Sequence, residues 1–470
     1  LTLSASGIFD LNANISGQNL DVVIRSSIAY LNVGTTILAT SVTVQAQTIY
    51  AAGTIKTSNY LNSNNSGSLG NAISLLAQAI YVSGRLSLSS NLPNNVATTV
   101  LVNGKAKRPE ELPAYLTAQN ADQNLNQVYS SSAANDSSVI QATVTQVGSN
   151  VIHLTASNGI SIHSSAQLLA NGTAGTTGGS IYFNAPTINT QAGSVVQANG
   201  NNGPGGLIAF SGDQITVAGS IAANGTDGGA ITIIASNGDL TINSGTIQTN
   251  GSNGRGGSIA ISANKNVTIQ ASSIEATGLN QGGRILIGND AKNGTLPFAL
   301  SASLDQFTSI NVAQLDQTLS NQNGGFIETS GQTLSMMASI NAGRGGMWLL
   351  DPTNVTISST ASTGGNLTAA QGQATTSNFS TTDIQNAINA GTSVTIVASG
   401  TITQTTALTF NIATAGLTPT LTLDNTSGSK QAITLIAMTD NSAGSGSKVS
   451  LRTISSGGAI SSTGIISLKG

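Results

Sequence analysis

The chain contains no cysteine. Disulfide staples and thiolate metal sites are therefore excluded. Charge is almost as scarce: Asp, Glu, Lys and Arg make up 7% of 470 residues, against about 25% in an ordinary soluble domain. Lys plus Arg is 15 and Asp plus Glu is 18, a net charge of −3. A nucleic-acid binder needs a surplus of Lys and Arg to displace counterions from phosphates, and this chain has none. Aromatic residues are 3%, with a single Trp, and there are 2 His. No run approaches about 18 consecutive apolar residues, so no transmembrane helix is expected. Charge-driven disorder is excluded as well, because 39% of the residues are hydrophobic and the net charge is small.

What is abundant is Gly, at 54 positions, and Ser, Thr and Asn supply roughly another third of the chain. Length alone suggests about three ordinary domains. An internal repeat changes that count. Gly-Gly followed by an alternating apolar run recurs at Gly178, Gly205, Gly228, Gly256 and Gly282, a nearly constant interval. Each unit holds two more strand-like runs. The second is Ile215-Thr-Val217, Leu240-Thr-Ile242 and Val267-Thr-Ile269. The third carries Val196, Ile221, Ile247 and Ile274.

Period-2 alternation in three short strands per ~26 residues fits a coil of a parallel β-helix and does not fit helices. Equivalent residues then stack on neighbouring coils about 4.7–4.9 Å apart, so like meets like in columns. Inward Ile and Val form the core, and outward Ser, Thr and Asn bond along the stack without charge repulsion. Asn199-Gly200, Asn224-Gly225 and Asn250-Gly251 close the third strand of successive units. They read as corners in the left-handed backbone that Asn and Gly tolerate, with the Asn side chains bonded in a ladder.

The expected fold is thus all-β, a right-handed parallel β-helix with about three short strands per coil and two excursions. Residues 1–90 are N-terminal coils, less regular than the rest. Residues 91–138 form a charged excursion, a possible lid over one face, with Lys105, Lys107, Arg108, Glu110 and Glu111 close together and a short helix after Pro109. Residues 139–288 are the regular repeats, and 289–323 form a second excursion. Residues 324–470 resume the coil, with a short helix near 383–390 capped by Thr381 or Thr382, buried through Ile384, Ala387 and Ile388, and ended by Gly391.

Catalytic candidates are few. Asp213, Asp239, Lys265 and Asp290 recur once per repeat and read as solvated turn charges in one column. His153 and His163 alternate with apolar neighbours and are expected to point outward, without a third metal ligand nearby. No calcium nonapeptide series, phosphate loop or nucleophile elbow occurs. No catalytic, cofactor or metal residue is assigned.

The most specific string is Gly345-Gly-Met-Trp-Leu-Leu-Asp-Pro-Thr-Asn-Val-Thr-Ile357. It resembles the signature of filamentous-haemagglutinin-like large exoproteins, adhesins exported by two-partner secretion. Gly282-Gly-Arg-Ile-Leu-Ile-Gly288, Gly324-Gly-Phe-Ile-Glu-Thr-Ser-Gly331 and Asp383-Ile-Gln-Asn-Ala-Ile-Asn-Ala-Gly-Thr-Ser-Val-Thr-Ile396 resemble blocks found in the same order there. From the residues themselves, Trp348, Leu349 and Leu350 are expected to fill one large core layer, and Asp351-Pro352 to turn the chain. The chain opens at Leu1 without a leader and stops at Ser467-Leu-Lys-Gly470, both within a strand-like rhythm, and reads as an internal piece of a longer exoprotein.

The resemblance implies a fibrous β-solenoid shaft, secreted or held on the outer surface of a Gram-negative bacterium, that works by display and adhesion without turnover. Its implied partners are an outer-membrane two-partner transporter during export, then glycans or proteins on host or neighbouring cells. Self-association into an extracellular filament or sheath is a second expectation. A polysaccharide-active enzyme resting on Asp213 and Asp239 is a third.

Overall fold

The computed structural model describes residues 1–17, 20–58, 72–89, 100–102, 105–107, 151–173, 175–290, 296–318, 323–360, 376–426, 433–455, 460–462 and 466–467. The chain forms two units, Leu1–Asn237 with Ser244–Thr249, and Gly238–Asn243 with Asn250–Gly470.

In the first unit the chain winds through three parallel ladders. The first ladder takes Asp21–Arg25, Ser41–Gln45, the front of Ala72–Val82, the front of Val151–Ile162, Ser180–Asn184, Leu207–Gly212 and Ala230–Ala235. The second takes Ile8–Leu11, Ile28–Leu31, Thr48–Ala51, the rear of the two long strands, Thr187–Thr190 and the front of Gln214–Ala222. The third takes Thr36–Ala39, Thr54–Ser58, Arg85–Ser89, Gln167–Leu169, Val195–Gln197 and the rear of Gln214–Ala222. This is a β-solenoid with three strands per coil.

Like does stack on like. Val22, Val42, Ile73, Ile152, Ile181, Ile208 and Ile231 follow one another in register. All are 0–1% exposed. Beside them Phe183 and Phe210 stack with ring centroids 4.2 Å apart. A one-residue slip would turn every one of these side chains outward, so burial holds the register.

The second unit repeats the plan. Its first ladder takes Ser258–Ala263, Arg284–Ile287, Phe326–Ser330, Met347–Asp351, Ser393–Ala398, Thr420–Asn425 and Ser450–Ser455. The interval expected to leave the coil at 289–323 contains Ser301–Leu304 and Ser309–Asn311. These strands pair in register with Asn266–Gln270 and Ser273–Glu275 as ordinary second and third strands. The departure from the coil before them is therefore short. In the 91–138 segment, Val100–Val102 and Lys105–Lys107 pair antiparallel. The helix expected after Pro109 lies outside the described residues.

One helix, Thr381–Asn389, interrupts the strands near the expected place. Its cap is Ser380, one residue earlier than expected, whose hydroxyl accepts from the Thr382 amide. Ile384, Ala387 and Ile388 are buried, and Gly391 leaves the helix at φ 89°. The Gln385 side-chain amide donates to the Thr409 carbonyl, and the Asn389 side chain accepts from the Asn411 amide. The helix thereby supplies partners to the edge of Leu408–Phe410.

The alternation of core and solvent fails at the first ladder. From Ser180–Asn184 to Met347–Asp351 its strands are buried on both sides, as in Leu207–Gly212, where every residue is buried, and the alternation returns in Ser393–Ala398 and Thr420–Asn425. In the second unit the cover is visible. Ser262 donates to the Pro297 carbonyl, the Ala299 amide donates to Gly288, and Leu296 and Ala299 are buried. Residues 296–299 lie over the outer side of these strands.

Candidate functional site

The corners at Asn199, Asn224 and Asn250 are ladders, built differently from the expectation. The Asn171 side-chain oxygen accepts from the Asn199 amide, and the Asn199 oxygen from the Asn224 amide, both at 2.8 Å. In the second unit the Asn250 oxygen accepts from the Thr277 amide at 2.9 Å. The side-chain nitrogens turn away to Gln197, Gln248 and Glu275. Asn171, Asn199 and Asn250 thus bond to the backbone of the next coil rather than to the next Asn side chain.

The expected left-handed backbone is absent from these corners. Among the described non-Gly residues only Asn202, Ser244 and Ala271 have positive φ. The Gly after each Asn answers a different need. A Cβ on Gly225 would sit 2.2 Å from the Gly205 nitrogen, so the stacked corners leave no room for a side chain. Left-handed residues recur between the second and third strands, at Gly193, Gly219 and Ser244, and in the second unit at Ala271, and after the third strand they fall beyond the Asn-Gly pair, at Asn202.

The signature segment forms the strand Met347–Asp351 and splits its residues between two faces. Trp348 and Leu350 are buried in register with Ile327 and Thr329 on one side and Val394 and Ile396 on the other. The Trp348 indole N–H donates to the Thr329 hydroxyl at 3.2 Å. Leu349, expected in the same layer, points the opposite way, because successive residues of a strand alternate. It pairs with Glu328, whose carboxylate is fully buried and accepts from Ser330 at 2.9 Å. Pro352 follows the strand and leads into Asn354–Ser358, as the turn reading requires.

Asp351 is on the Leu349 side. Burial pushes its carboxyl up to about 6, against a smaller opposing effect of the hydrogen bond from Asn289. Asn289 begins the departure from the coil, and its neighbour Asp290 is 3% exposed. Asp290 pairs with Arg284 at 2.8 Å, and that guanidinium also lies 5.6 Å from the Phe326 ring centre. Asn289, Asp290 and Pro297 are therefore three pins holding the excursion against the first ladder.

The proposed charge column resolves into separate structural tasks. Asp213 accepts from Ser236 and Asn237 one coil on. Asp239 accepts from both the amide and the side chain of Asn266, not from Lys265. Asp290, read as a solvated turn charge, is buried and paired with the part-exposed Arg284, whose role the spacing did not reveal. Among the described residues no group of three His, Asp or Glu could hold a metal ion.

The histidines differ. His163 is exposed, as expected. His153 does leave the core side, but it is covered: the Tyr182 ring meets it edge-on at 6.1 Å, and Thr155 shares a 3.0 Å hydrogen bond with it. Desolvation lowers its pKa from 6.5 to about 4. One surface feature escaped the sequence reading altogether. Tyr30, Tyr50 and Tyr81 fall in register on the second ladder. The recurrence of Gln-x-Ile-Tyr at Gln47–Tyr50 and Gln78–Tyr81 was the available signal.

No protein-family model matches the chain, and no curated protein matches it. Among solved structures it is similar to the crystal structure of the HMW1 secretion domain from Haemophilus influenzae. Identity is 15%, the TM-score is 0.35, and the match covers 75% of this chain and 89% of that one. A score that low carries no inference about function.

Proposed function

We propose that the chain is the solenoid part of a bacterial adhesin, secreted or attached to the outer cell surface, that acts by display and attachment without catalysis. The observation that supports this best is the set of neutral hydrogen-bonding rows along the coils. On the second ladder Ser161, Asn189 and Thr216 follow in register and are exposed or part-exposed. In the second unit Thr241, Thr268, Ser303 and Ser335 do the same. Such rows offer donors and acceptors at each coil, about 4.8 Å apart, to the hydroxyls of a surface glycan or to a protein. Asp213 and Asp239, the carboxylates on which catalysis would rest, are engaged in joining coils. Export through an outer-membrane two-partner transporter fits a chain without disulfides, because a solenoid can gain structure coil by coil.

Microspheres coated with the purified chain test the reading. They should attach to epithelial or bacterial cells above the level of albumin-coated spheres, and less after enzymatic removal of surface glycans. Attachment at the albumin level to both cell types would contradict it.

A further inference from the structure

The side chains of Tyr30, Tyr50 and Tyr81 stand in one column because their neighbours leave no alternative. Ala29, Ile49 and Ile80 are fully buried, so the next residue on each strand must face outward. Parallel in-register pairing then superposes the rings. Their centroids are 4.9 and 5.0 Å apart, and their planes differ by 6° and 9°. Tyr50 is 38% exposed and Tyr81 45%, while Tyr30 is part-exposed. The column runs on through Asp10 before Tyr30 and Ser161 after Tyr81, so the three rings form a bounded stack.

We propose that this stack is an oxidative cross-linking site, at which neighbouring coils become joined through dityrosine. The co-reactant is hydrogen peroxide acting through a one-electron haem peroxidase. Two phenols each lose one electron and one proton, and the peroxide takes up both pairs to give two waters. Each phenoxyl radical carries spin on the carbons ortho to its oxygen. Two such carbons on adjacent rings form a carbon–carbon bond, and the hydrogen on each moves to its oxygen to restore the phenols. The net change is the loss of two hydrogens from the protein.

Coupling of free radicals is limited by their meeting. Here the partners are already neighbours, and holding reactants together raises the effective concentration by orders of magnitude. Rotation about the side-chain bonds of the exposed rings brings ortho carbons together without moving the paired strands. Competing sinks are few, since the chain has no thiol and its single Trp is 2% exposed. Tyr50 and Tyr81 are the most accessible pair and should couple first. Either link, Tyr50 to Tyr81 or Tyr30 to Tyr50, closes a loop of one coil, the kind of staple this chain cannot make from cysteine.

The test treats the full chain, dilute, with horseradish peroxidase and hydrogen peroxide. Trypsin then separates the two links. Tyr30 and Tyr50 share the peptide after Arg25 ending at Lys56, whereas Tyr81 lies in the next, ending at Arg85. A Tyr50–Tyr81 bond joins the two peptides with the loss of two hydrogens, and a Tyr30–Tyr50 bond gives the same loss within one. Tyr60 shares the second peptide, so the work uses a Tyr60→Phe background. Dityrosine fluorescence should appear in monomeric protein. Tyr50→Phe should abolish both links, and Tyr81→Phe only the two-peptide one, each with an unchanged circular dichroism spectrum. Hydroxylated tyrosines without these links, dityrosine only in covalent dimers, or a yield unaffected by Tyr50→Phe would overturn the proposal.

Discussion

At the scale of single residues, the positions that decide stability are those where a side chain meets the next coil. Ala271 holds φ at 46°, a conformation that costs a residue with a Cβ about 1 kcal/mol or more. Ala271→Gly should therefore raise stability to urea by up to about 1 kcal/mol, even though Gly is the more flexible residue when unfolded. Gly219→Ala should do the reverse, since φ is 90° there and a Cβ would lie 2.6 Å from the Ser194 carbonyl. Two titrating groups predict opposite pH effects. The His153 pKa falls from 6.5 to about 4, so its contribution to stability is present above pH 6.5 and is lost as pH falls through 4. The Asp351 pKa rises from 3.8 to about 6, so its contribution is full below pH 3.8 and is lost as pH rises through 6. Each is worth on the order of 3 kcal/mol. Denaturant midpoints between pH 4 and 7 should show the acid loss shrinking in His153→Gln and growing in Asp351→Asn.

At the scale of elements, the repeat from Gly178 to Ile287 was legible because three apolar runs recur at nearly constant spacing. The earlier coils were less so, since coil lengths there vary: the step from Val42 to Ile73 is half as long again as the step from Val22 to Val42. The corner Asn residues were legible as structural, but their mechanism was not. Composition points to left-handed turns, whereas the fold uses the carboxamide oxygen to receive an amide from the next coil. Asn199→Ala should expose that loss directly, at about 1–2 kcal/mol by chemical denaturation, because it removes the oxygen that receives the part-buried Asn224 amide. Asn199→Asp keeps an acceptor and should cost less. The covered face of the first ladder was not legible, because Ser, Thr and Ala at outward positions read as solvated until the segment lying over them is seen. Arg284→Ala tests that cover. It removes the guanidinium that faces the buried Asp290 carboxylate. Breaking a buried pair costs roughly 3–5 kcal/mol, and the loss here should fall near the lower end because Arg284 is itself part-exposed. Hydrogen exchange should speed up at residues 296–299 first.

At the scale of the whole molecule, both units are built by one rule: equivalent residues of successive coils lie over one another. This rule explains the neutral composition, since like charges directly opposite in a column repel. It also explains why the few charges present are tied to partners such as Asn266 and Arg284. The ladder class was legible in the sequence, whereas the tyrosine column was not, because three residues on three separate coils become neighbours only once the register is known. The absence of cysteine gives a clean background for testing that register. Asn189 and Thr216 are a full coil apart in sequence and pair on the second ladder. Asn189 and Val195 are much closer in sequence, but they lie on different ladders. The most direct measurement is disulfide formation in two double variants under mild oxidation. Asn189→Cys with Thr216→Cys should close a bond, since paired strands hold Cα atoms within the ~4.4–6.8 Å a disulfide spans. Asn189→Cys with Val195→Cys should stay reduced. The opposite outcome, the near pair closing and the distant pair remaining free, would contradict the solenoid itself.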